Sequence, residues 1–241
     1  MTPNRVILST DDNPDYIHFW NILAPVWRLF GLQPTLAYVT NSPNWSAIER
    51  KLGDVIVLPP LDGISSGNQA QSIRLFIPAE FPDDICVTSD IDQVPLRRSF
   101  FFERAHDARE EQVVVYRNSY PHLLRYPIAY VAAKGSTYLQ LFLANGGDWR
   151  RTMRAWYEDH DYGWITDERM LFDRINAFDQ SRVVLLPADD DAVRRIDRED
   201  IPTDKKKVLD GYYVDYNCPR PYTRYKDRID RVVGWLRQTQ S

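Results

Sequence analysis

Short runs of apolar residues alternate along this chain with amphipathic and polar segments. Residues 6–10, 35–40, 54–58 and 85–89 are rich in apolar and β-branched side chains, a pattern that is typical of buried strands. Polar turns and segments with helical spacing separate these runs. The alternation predicts an α/β fold with a mostly parallel central sheet, helices on both of its faces and right-handed crossovers.

The first predicted helix follows the first strand directly. Asn13 is a candidate N-cap, Pro14 suits the first helical position, and Gly31 is an end signal. Pro25 lies inside the same pattern, so we expect a kink or an early break there. The chain is therefore expected to begin with a strand, a polar turn and a helix.

The later part of the chain continues this pattern less regularly. Residues 69–77 fit a helix that Pro78 stops, and another helix opens with Thr166 as its cap. Further helices are predicted at 44–52, 136–144, 149–157 and 224–237, further strands at 112–116, 128–132 and 183–186, and surface loops at 189–191 and 205–207.

Composition and charge favour one globular domain over residues 1–241. The 241 residues are 44% hydrophobic, 27% charged and 13% aromatic, which allows a well-buried core. The formal net charge is only −4 and the basic residues are scattered, so nucleic acid is not an expected partner. Cys86 and Cys218 fit neither a metal site nor a disulfide framework. With no long apolar run and no signal-peptide pattern, we expect a cytoplasmic protein without a transmembrane segment.

Two carboxylates follow the fourth predicted strand. Asp90 and Asp92 are one residue apart, so in an extended chain their side chains leave on the same side and reach one cation. Hard oxygen ligands suit Mg²⁺ or Mn²⁺, which commonly share their coordination shell with a phosphate. Ligands of open α/β sheets bind at the carboxyl ends of strands, so Asp11 and Asp12, after the first strand, are expected to line the same cleft.

Five stretches together resemble one known family, the nucleotide-sugar-dependent glycosyltransferases of the GT-A fold. They are residues 6–12, Gln71-Ser72-Ile73-Arg74, Ser89-Asp90-Ile91-Asp92 as the DxD motif, Trp164-Ile165-Thr166-Asp167-Glu168 and Asp215-Tyr216-Asn217-Cys218-Pro219-Arg220-Pro221. The resemblance covers most of the chain and is to small single-domain transferases of bacterial polysaccharide clusters and large DNA viruses. It implies a nucleotide-binding half at 1–95 and an acceptor-binding half with a C-terminal helix at 96–241.

The resemblance also implies an activity and the residues that bind the sugar donor. A sugar would pass from a nucleoside-diphosphate sugar, with UDP favoured as the commonest nucleotide of the family, to a glycan acceptor. Asp92 would bind Mn²⁺ or Mg²⁺ directly, and Asp90 would contact the ribose or reach the metal through water. Thr10 and Asp11 would hold the nucleoside, and Arg74 would lie near the donor. From the residues alone, Asp11 could instead cap the following helix and Arg74 could form a surface salt bridge.

A carboxylate near the acceptor bears on the mechanism. An inverting transferase needs a base within hydrogen-bond reach of the acceptor hydroxyl. Family members commonly place it at the 164–168 motif, so Asp167 is the favoured base and Glu168 its substitute. A retaining transferase does not need this base there, and the two acids could also serve only to stabilise a helix N-terminus.

The C-terminal motif departs from the family pattern. Many members carry a His there as a further metal ligand, whereas this chain has Asp215 and Asn217 and no His. Asn217 is the candidate third ligand. A competing Asp-x-Asp at Asp159 and Asp161 follows a helical segment rather than a buried strand, which disfavours it as the metal site.

Other functions stay open at this point. A phosphatase of the HAD type also uses Asp-x-Asp, but usually after the first strand of its domain. A sugar-phosphate nucleotidyltransferase shares the fold and the metal, yet the expected Gly-rich phosphate loop is missing here, as are a P-loop and the Gly-x-Gly-x-x-Gly of dinucleotide sites. A non-catalytic carbohydrate-binding protein would not need Asp90, Asp92 and Asp167 together.

Overall fold

Two sheets organise residues 1–143, 147–160 and 162–238, which are the residues that this computed structural model describes. The strands are β1 (Arg5–Asp11), β2 (Gln33–Val39), β3 (Asp54–Leu58), β4 (Ile85–Thr88), β5 (Gln93–Pro95), β6 (Val113–Asn118), β7 (Val131–Lys134), β8 (Val183–Pro187), β9 (Arg195–Ile196) and β10 (Asp215–Asn217). The larger sheet has the order β3-β2-β1-β4-β7-β6-β8, and the smaller one has the order β5-β10-β9. In the larger sheet only β7 runs antiparallel to its neighbours, which confirms a mostly parallel sheet.

Helices connect these strands and pack on the larger sheet. They are α1 (Trp20–Leu29), α2 (Ser66–Ile73), α3 (Arg98–Phe102), α4 (Gly135–Phe142), α5 (Trp149–Asp159), α6 (Thr166–Ala177), α7 (Asp190–Val193), α8 (Lys205–Leu209) and α9 (Tyr222–Gln238). None of the helices in the described ranges is long and apolar enough to cross a membrane.

The sheet separates two apolar cores, one on each face. Along β1, Val6 and Leu8 belong to the core that contains α1 and α9, whereas Ile7 belongs to the core that contains α2, α4 and α6. Successive side chains of a strand point to opposite faces, so a strand buried on both sides is a continuous apolar run. This is why the sequence pattern located the central strands, and helices on both faces are confirmed.

Several predicted elements are wrong in detail. Helix α1 begins at Trp20 after a 3-10 turn at Ile17–Phe19 rather than at Pro14, and it continues through Pro25. Its end is as expected, because Gly31 adopts a φ of 89° directly after it. The predicted helix at 44–52 is only a 3-10 turn at Arg50–Leu52.

Local capping explains other differences. Ser65 caps α2 by accepting from Asn68 N, so this helix starts earlier than predicted and ends at Ile73. Thr166 is the first residue of α6 rather than its cap. The runs predicted as surface loops form α7 and α8, because Asp189 and Asp204 cap them. The predicted end of the helix at 136–144 partly lies outside the described residues.

Strand order places the functional candidates together. Strands β1 and β4 are adjacent and parallel, so the turns that follow them leave the same edge of the sheet. The Ser89 backbone N donates to Ile7 O at 3.1 Å, which extends this pairing to the start of the acidic turn. Cys218 N donates to Asp92 O at 2.8 Å, so the smaller sheet holds the other side of that turn.

Candidate active site

A cavity of about 480 Å³ opens at the carboxyl ends of β1 and β4. Its volume is in the range of small-molecule sites. Its walls come from the turns after these strands, from α2, from the start of α6 and from the segments that contain Arg125, Arg198 and Arg220. The charged side chains that line it are Asp11, Asp90, Asp92, Asp167 and Glu168 together with Arg74, Arg125, Arg198 and Arg220. The lining is therefore dense in both signs of charge, with five carboxylates and four guanidinium groups.

The DxD carboxylates differ in exposure. The Asp90 side chain is 40% exposed, whereas that of Asp92 is only 6% exposed. Burial, followed by the negative charge of Asp90, raises the pKa of Asp92 to about 6, although Arg198 opposes this. The low exposure of Asp92 is therefore the main reason why its charged form is disfavoured.

Arg74, the residue directly after α2, joins the two acidic motifs. It is only 5% exposed, so the surface salt bridge considered for it is excluded. Its Nη1 donates to Ser89 O at 3.0 Å and to Asp90 Oδ1, and its Nη2 lies 3.4 Å from Asp167 Oδ2. Burial works against its charged form, but the charges of Asp90 and Asp167 outweigh it and raise the pKa of Arg74. The guanidinium is therefore a fixed cation between the DxD turn and α6.

Asp167 and Glu168 open α6 in different surroundings. Asp167 is 2% exposed, accepts from Glu168 N at 2.8 Å and faces Arg74; burial is the main cause of its raised pKa. Glu168 is 23% exposed at its side chain and lies 3.4 Å from Arg125 Nη1. Burial, and then the charge of Asp167, raise the pKa of Glu168 to about 7.

Thr10 and Asp11 line the cavity at the end of β1, with Asp11 9% exposed. Asp11 Oδ2 accepts from Ser66 Oγ at 2.7 Å, and its Oδ1 accepts from Asn13 N at 3.1 Å. Asp11 therefore ties the turn to the start of α2 and does not cap α1. A neighbouring cavity, which Asp12 and Thr40 also line, continues from it toward the end of β2.

The C-terminal motif contributes less than its sequence suggested. Asn217 ends β10 opposite Gln93 and does not line the cavity, so its role as third metal ligand stays a prediction. Asp215 is fully buried and accepts from Arg117 Nη2 at 2.5 Å, Gln93 Nε2 at 2.8 Å and Tyr130 Oη at 3.1 Å. It is a structural ion pair away from the cavity.

Three of the arginines that line the cavity were not predicted from the sequence. Arg198 Nη2 lies 2.8 Å and Arg220 Nε lies 3.5 Å from Asp92 Oδ2, and Arg125 pairs with Glu168. Arg220 lies within the 215–221 motif, so its position in the sequence could have indicated a role in the site. Nothing in the charged segment around Arg198 distinguishes it from its neighbours.

A divalent cation fits the donor set at the DxD turn. Both carboxylates line the cavity and are hard oxygen ligands. Within the described ranges no group of three or more His, Cys, Asp or Glu residues is arranged to hold a metal. The protein would thus supply two carboxylates, which is the usual share for Mg²⁺ bound with substrate phosphates. Part of the competing motif, Asp161, lies outside the described residues.

Comparison with known proteins agrees with this architecture. No family model and no curated protein matches the sequence. Among solved structures, the galactosyltransferase LgtC in complex with donor and acceptor sugar analogs matches with a TM-score of 0.55 and 13% identity over 97% of this chain and 95% of its own. An active-site mutant of LgtC gives a TM-score of 0.56, also at 13% identity, over 95% of each chain. The apo glycosyltransferase GlyE of Streptococcus pneumoniae TIGR4 gives 0.51 at 18% identity, over 80% of this chain and 46% of its own.

These likenesses define the fold. The chain has the GT-A fold that its sequence predicted, and its site lies at the carboxyl edge of the sheet where ligands of open α/β sheets bind.

Proposed function

We propose that this chain is a metal-dependent glycosyltransferase that moves a sugar from a nucleoside-diphosphate sugar to a glycan acceptor. One observation carries the proposal: one cavity of a GT-A fold is lined by seven of the eight residues that the sequence predicted for donor, metal and base, which are Thr10, Asp11, Arg74, Asp90, Asp92, Asp167 and Glu168. The names of two structural neighbours, a galactosyltransferase and a glycosyltransferase, support it.

The donor is proposed to lie along the edge of the sheet. Its nucleoside would contact Thr10 and Asp11, and its diphosphate would lie beside the DxD turn. Asp90 and Asp92 would hold Mn²⁺ or Mg²⁺, which when bound stabilises the negative charge that develops on the leaving diphosphate. Arg74, at the C-terminal end of α2, holds the Asp90 side chain in place. UDP is the proposed donor nucleotide on the strength of the family resemblance alone.

Glu168 is the better candidate for the base of an inverting transfer. Asp167 is almost completely buried and its carboxylate faces Arg74, which favours a role in orienting that guanidinium. Glu168 is more accessible, and a pKa of about 7 suits a group that takes a proton near neutral pH. It would remove the proton of the acceptor hydroxyl as the oxygen attacks the anomeric carbon.

The acceptor is proposed to enter beside Trp164. This side chain is 57% exposed at the rim of the cavity, a few residues before Glu168. An exposed aromatic ring next to a base offers a stacking surface for a sugar ring. The acceptor hydroxyl would then reach Glu168 from the open side of the cavity.

Metal-dependent nucleotide binding tests the proposal directly. We expect UDP to bind to the full chain in calorimetric titrations with Mn²⁺ present, and to bind at least tenfold more weakly without it, because Asp90 and Asp92 would repel the diphosphate. GDP and CMP complete the panel, and hydrolysis of sugar nucleotides is measured next. If none of the three nucleotides binds in a metal-dependent way, the transferase proposal fails.

The pH dependence of transfer tests the base. With the pKa of Glu168 at about 7, its reactive deprotonated form increases between pH 6 and 8. We expect kcat/KM to rise through that window, and Glu168→Gln to remove this limb and lower kcat about 10²- to 10⁴-fold. The exposed Glu110→Gln is the control and keeps the profile of the unchanged protein.

Product stereochemistry completes this test. Inversion at the anomeric carbon is expected if Glu168 is the base. Retention, or an acidic limb that persists in Glu168→Gln, would overturn that role and leave the transferase proposal standing.

A further inference from the structure

We propose that the side chains of Arg198 and Arg220 pair with Asp92 in the free protein. When donor and cation bind together, these side chains leave Asp92 and bind the diphosphate of the donor. This inference rests on the proposed function. It assigns the two arginines as residues that exchange one anionic partner for another, so that the cation binds more tightly once the donor is present.

The contacts at Asp92 are the first support. Asp92 Oδ2 accepts from Arg198 Nη2 at 2.8 Å, and Arg220 Nε lies 3.5 Å from the same oxygen. Both arginines line the cavity with Asp92. An oxygen proposed to bind a cation therefore already faces two guanidinium groups, and a cation that enters alone must displace them.

The arginines have donors to offer to an incoming anion. Arg198 Nε is buried and has no hydrogen-bond partner within the described ranges. The side chains of Arg198 and Arg220 are 36% and 27% exposed, so both can turn toward the cavity. A guanidinium binds phosphate oxygens through two parallel N–H donors, an arrangement that a single oxygen of Asp92 does not satisfy.

Neighbouring contacts keep both arginines at the site after an exchange. Arg228 on α9 donates to the carbonyl oxygens of Arg198, at 2.7 Å, and of Asp200. The guanidinium of Arg220 lies over the Tyr16 ring, 4.7 Å from its centroid. The Arg198 backbone is thus held by a group other than Asp92, and the Arg220 guanidinium keeps its contact with Tyr16 when the Asp92 contact is lost.

Charge explains why the exchange is favourable only with both ligands present. Three other carboxylates of the cavity already face arginines, Asp90 and Asp167 facing Arg74 and Glu168 facing Arg125, so two arginines that left Asp92 without an anion would gain little there. A diphosphate gives them a new partner, and a cation replaces them at Asp92. Each ligand therefore removes the obstacle to the other, which is positive coupling between two binding events.

The decisive measurement is the affinity of Arg198→Gln for Mn²⁺ alone. Electron paramagnetic resonance detects the free Mn²⁺ in this titration. We expect the variant to bind Mn²⁺ about tenfold more tightly than the unchanged protein, because a competitor for Asp92 is gone, and to bind UDP with Mn²⁺ about tenfold more weakly. An exchange of partners predicts opposite changes in these two affinities, the one for Mn²⁺ alone and the one for UDP with Mn²⁺. Measuring Mn²⁺ alone matters because UDP itself chelates the ion.

Further variants separate this exchange from a structural role. Arg220→Gln should change both affinities in the same directions but less, and Arg198→Lys should fall between Gln and Arg. Arg194→Gln is the matched control, since Arg194 pairs with Asp191 and does not line the cavity. Thermal unfolding of each variant is recorded alongside.

One result would overturn the inference without touching the proposed function. It is an Arg198→Gln protein that binds Mn²⁺ alone no more tightly than the unchanged protein, while the latter binds UDP in a metal-dependent way. Loss of both affinities in Arg198→Gln and Arg220→Gln would likewise contradict an exchange. Absence of metal-dependent UDP binding in the unchanged protein would instead remove the proposed function.

Discussion

Asp92→Asn is expected to lower kcat/KM for sugar transfer about 10³-fold, because removal of one preorganised charge-stabilising group typically has an effect of this size. Asp92 is the more buried of the two DxD carboxylates and lies on the same turn as Asp90. An amide keeps its shape but not its charge, so the affinity for a divalent cation falls. Transfer rates and Mn²⁺ titrations on the same preparation measure both effects.

The control for this variant is Asp227→Asn, an exposed position on α9. It is expected to leave the transfer rate unchanged, since a surface carboxylate away from the cavity does not interact with the reacting groups. Circular dichroism and thermal unfolding check that Asp92→Asn is folded. A folded Asp92→Asn protein with transfer within tenfold of the unchanged protein would remove Asp92 from the proposed metal site.

The edge of the sheet that carries the site was predictable from local patterns. A strand buried on both faces is a continuous apolar run, so β1 and β4 are visible in the sequence. The polar residues that follow such runs must lie at one edge when the strands are parallel and adjacent. Asp11, Asp90 and Asp92 were located by this argument, and the cavity contains all three.

The arginines of the site were not predictable in the same way. Arg198 reaches Asp92 across 106 positions of sequence from an irregular segment, and its neighbourhood contains other charged residues with no such contact. No period of hydrophobicity marks its position, because its contact depends on how the smaller sheet packs beside the DxD turn. Strands β9 and β10 of that sheet are too short to produce an alternating pattern.

Tertiary hydrogen bonds explain the wrong prediction at 44–52. The Asn21 side chain on α1 donates to Ala47 O at 3.0 Å and accepts from Glu49 N at 2.9 Å. Tyr38 Oη accepts from Asn44 N at 3.1 Å. These contacts satisfy backbone groups outside a helix, so a segment with helical composition takes another conformation.

Asp215→Asn is expected to reduce the free energy of unfolding by about 3–5 kcal/mol, because it leaves the buried Arg117 guanidinium without its charged partner. Both side chains are at most 3% exposed, and Arg117 Nη2 lies 2.5 Å from Asp215 Oδ2. For a chain of this size the loss corresponds to a melting temperature lower by roughly 10 °C. Thermal and urea unfolding at pH 7 measure it.

The pH dependence of the stability of Asp215→Asn tests whether the lost charge causes the destabilisation. Burial opposes ionisation of Asp215, but Arg117 and Arg195 outweigh it and lower its pKa. A carboxylate with a lowered folded-state pKa stabilises the protein fully above its unfolded pKa, and this contribution is lost as the pH falls through the folded value. The difference between Asp215→Asn and the unchanged protein should therefore shrink below about pH 4.

Two further variants complete the argument. Asp191→Asn removes the partner of Arg97 at the surface, where the carboxylate is 59% exposed, and should change stability by less than about 1 kcal/mol. Adding Arg117→Met to Asp215→Asn removes the unpaired charge and should recover part of the loss, since buried ion pairs can often be replaced by apolar groups. An Asp215→Asn protein as stable as Asp191→Asn would show that the buried pair contributes no more than a surface one.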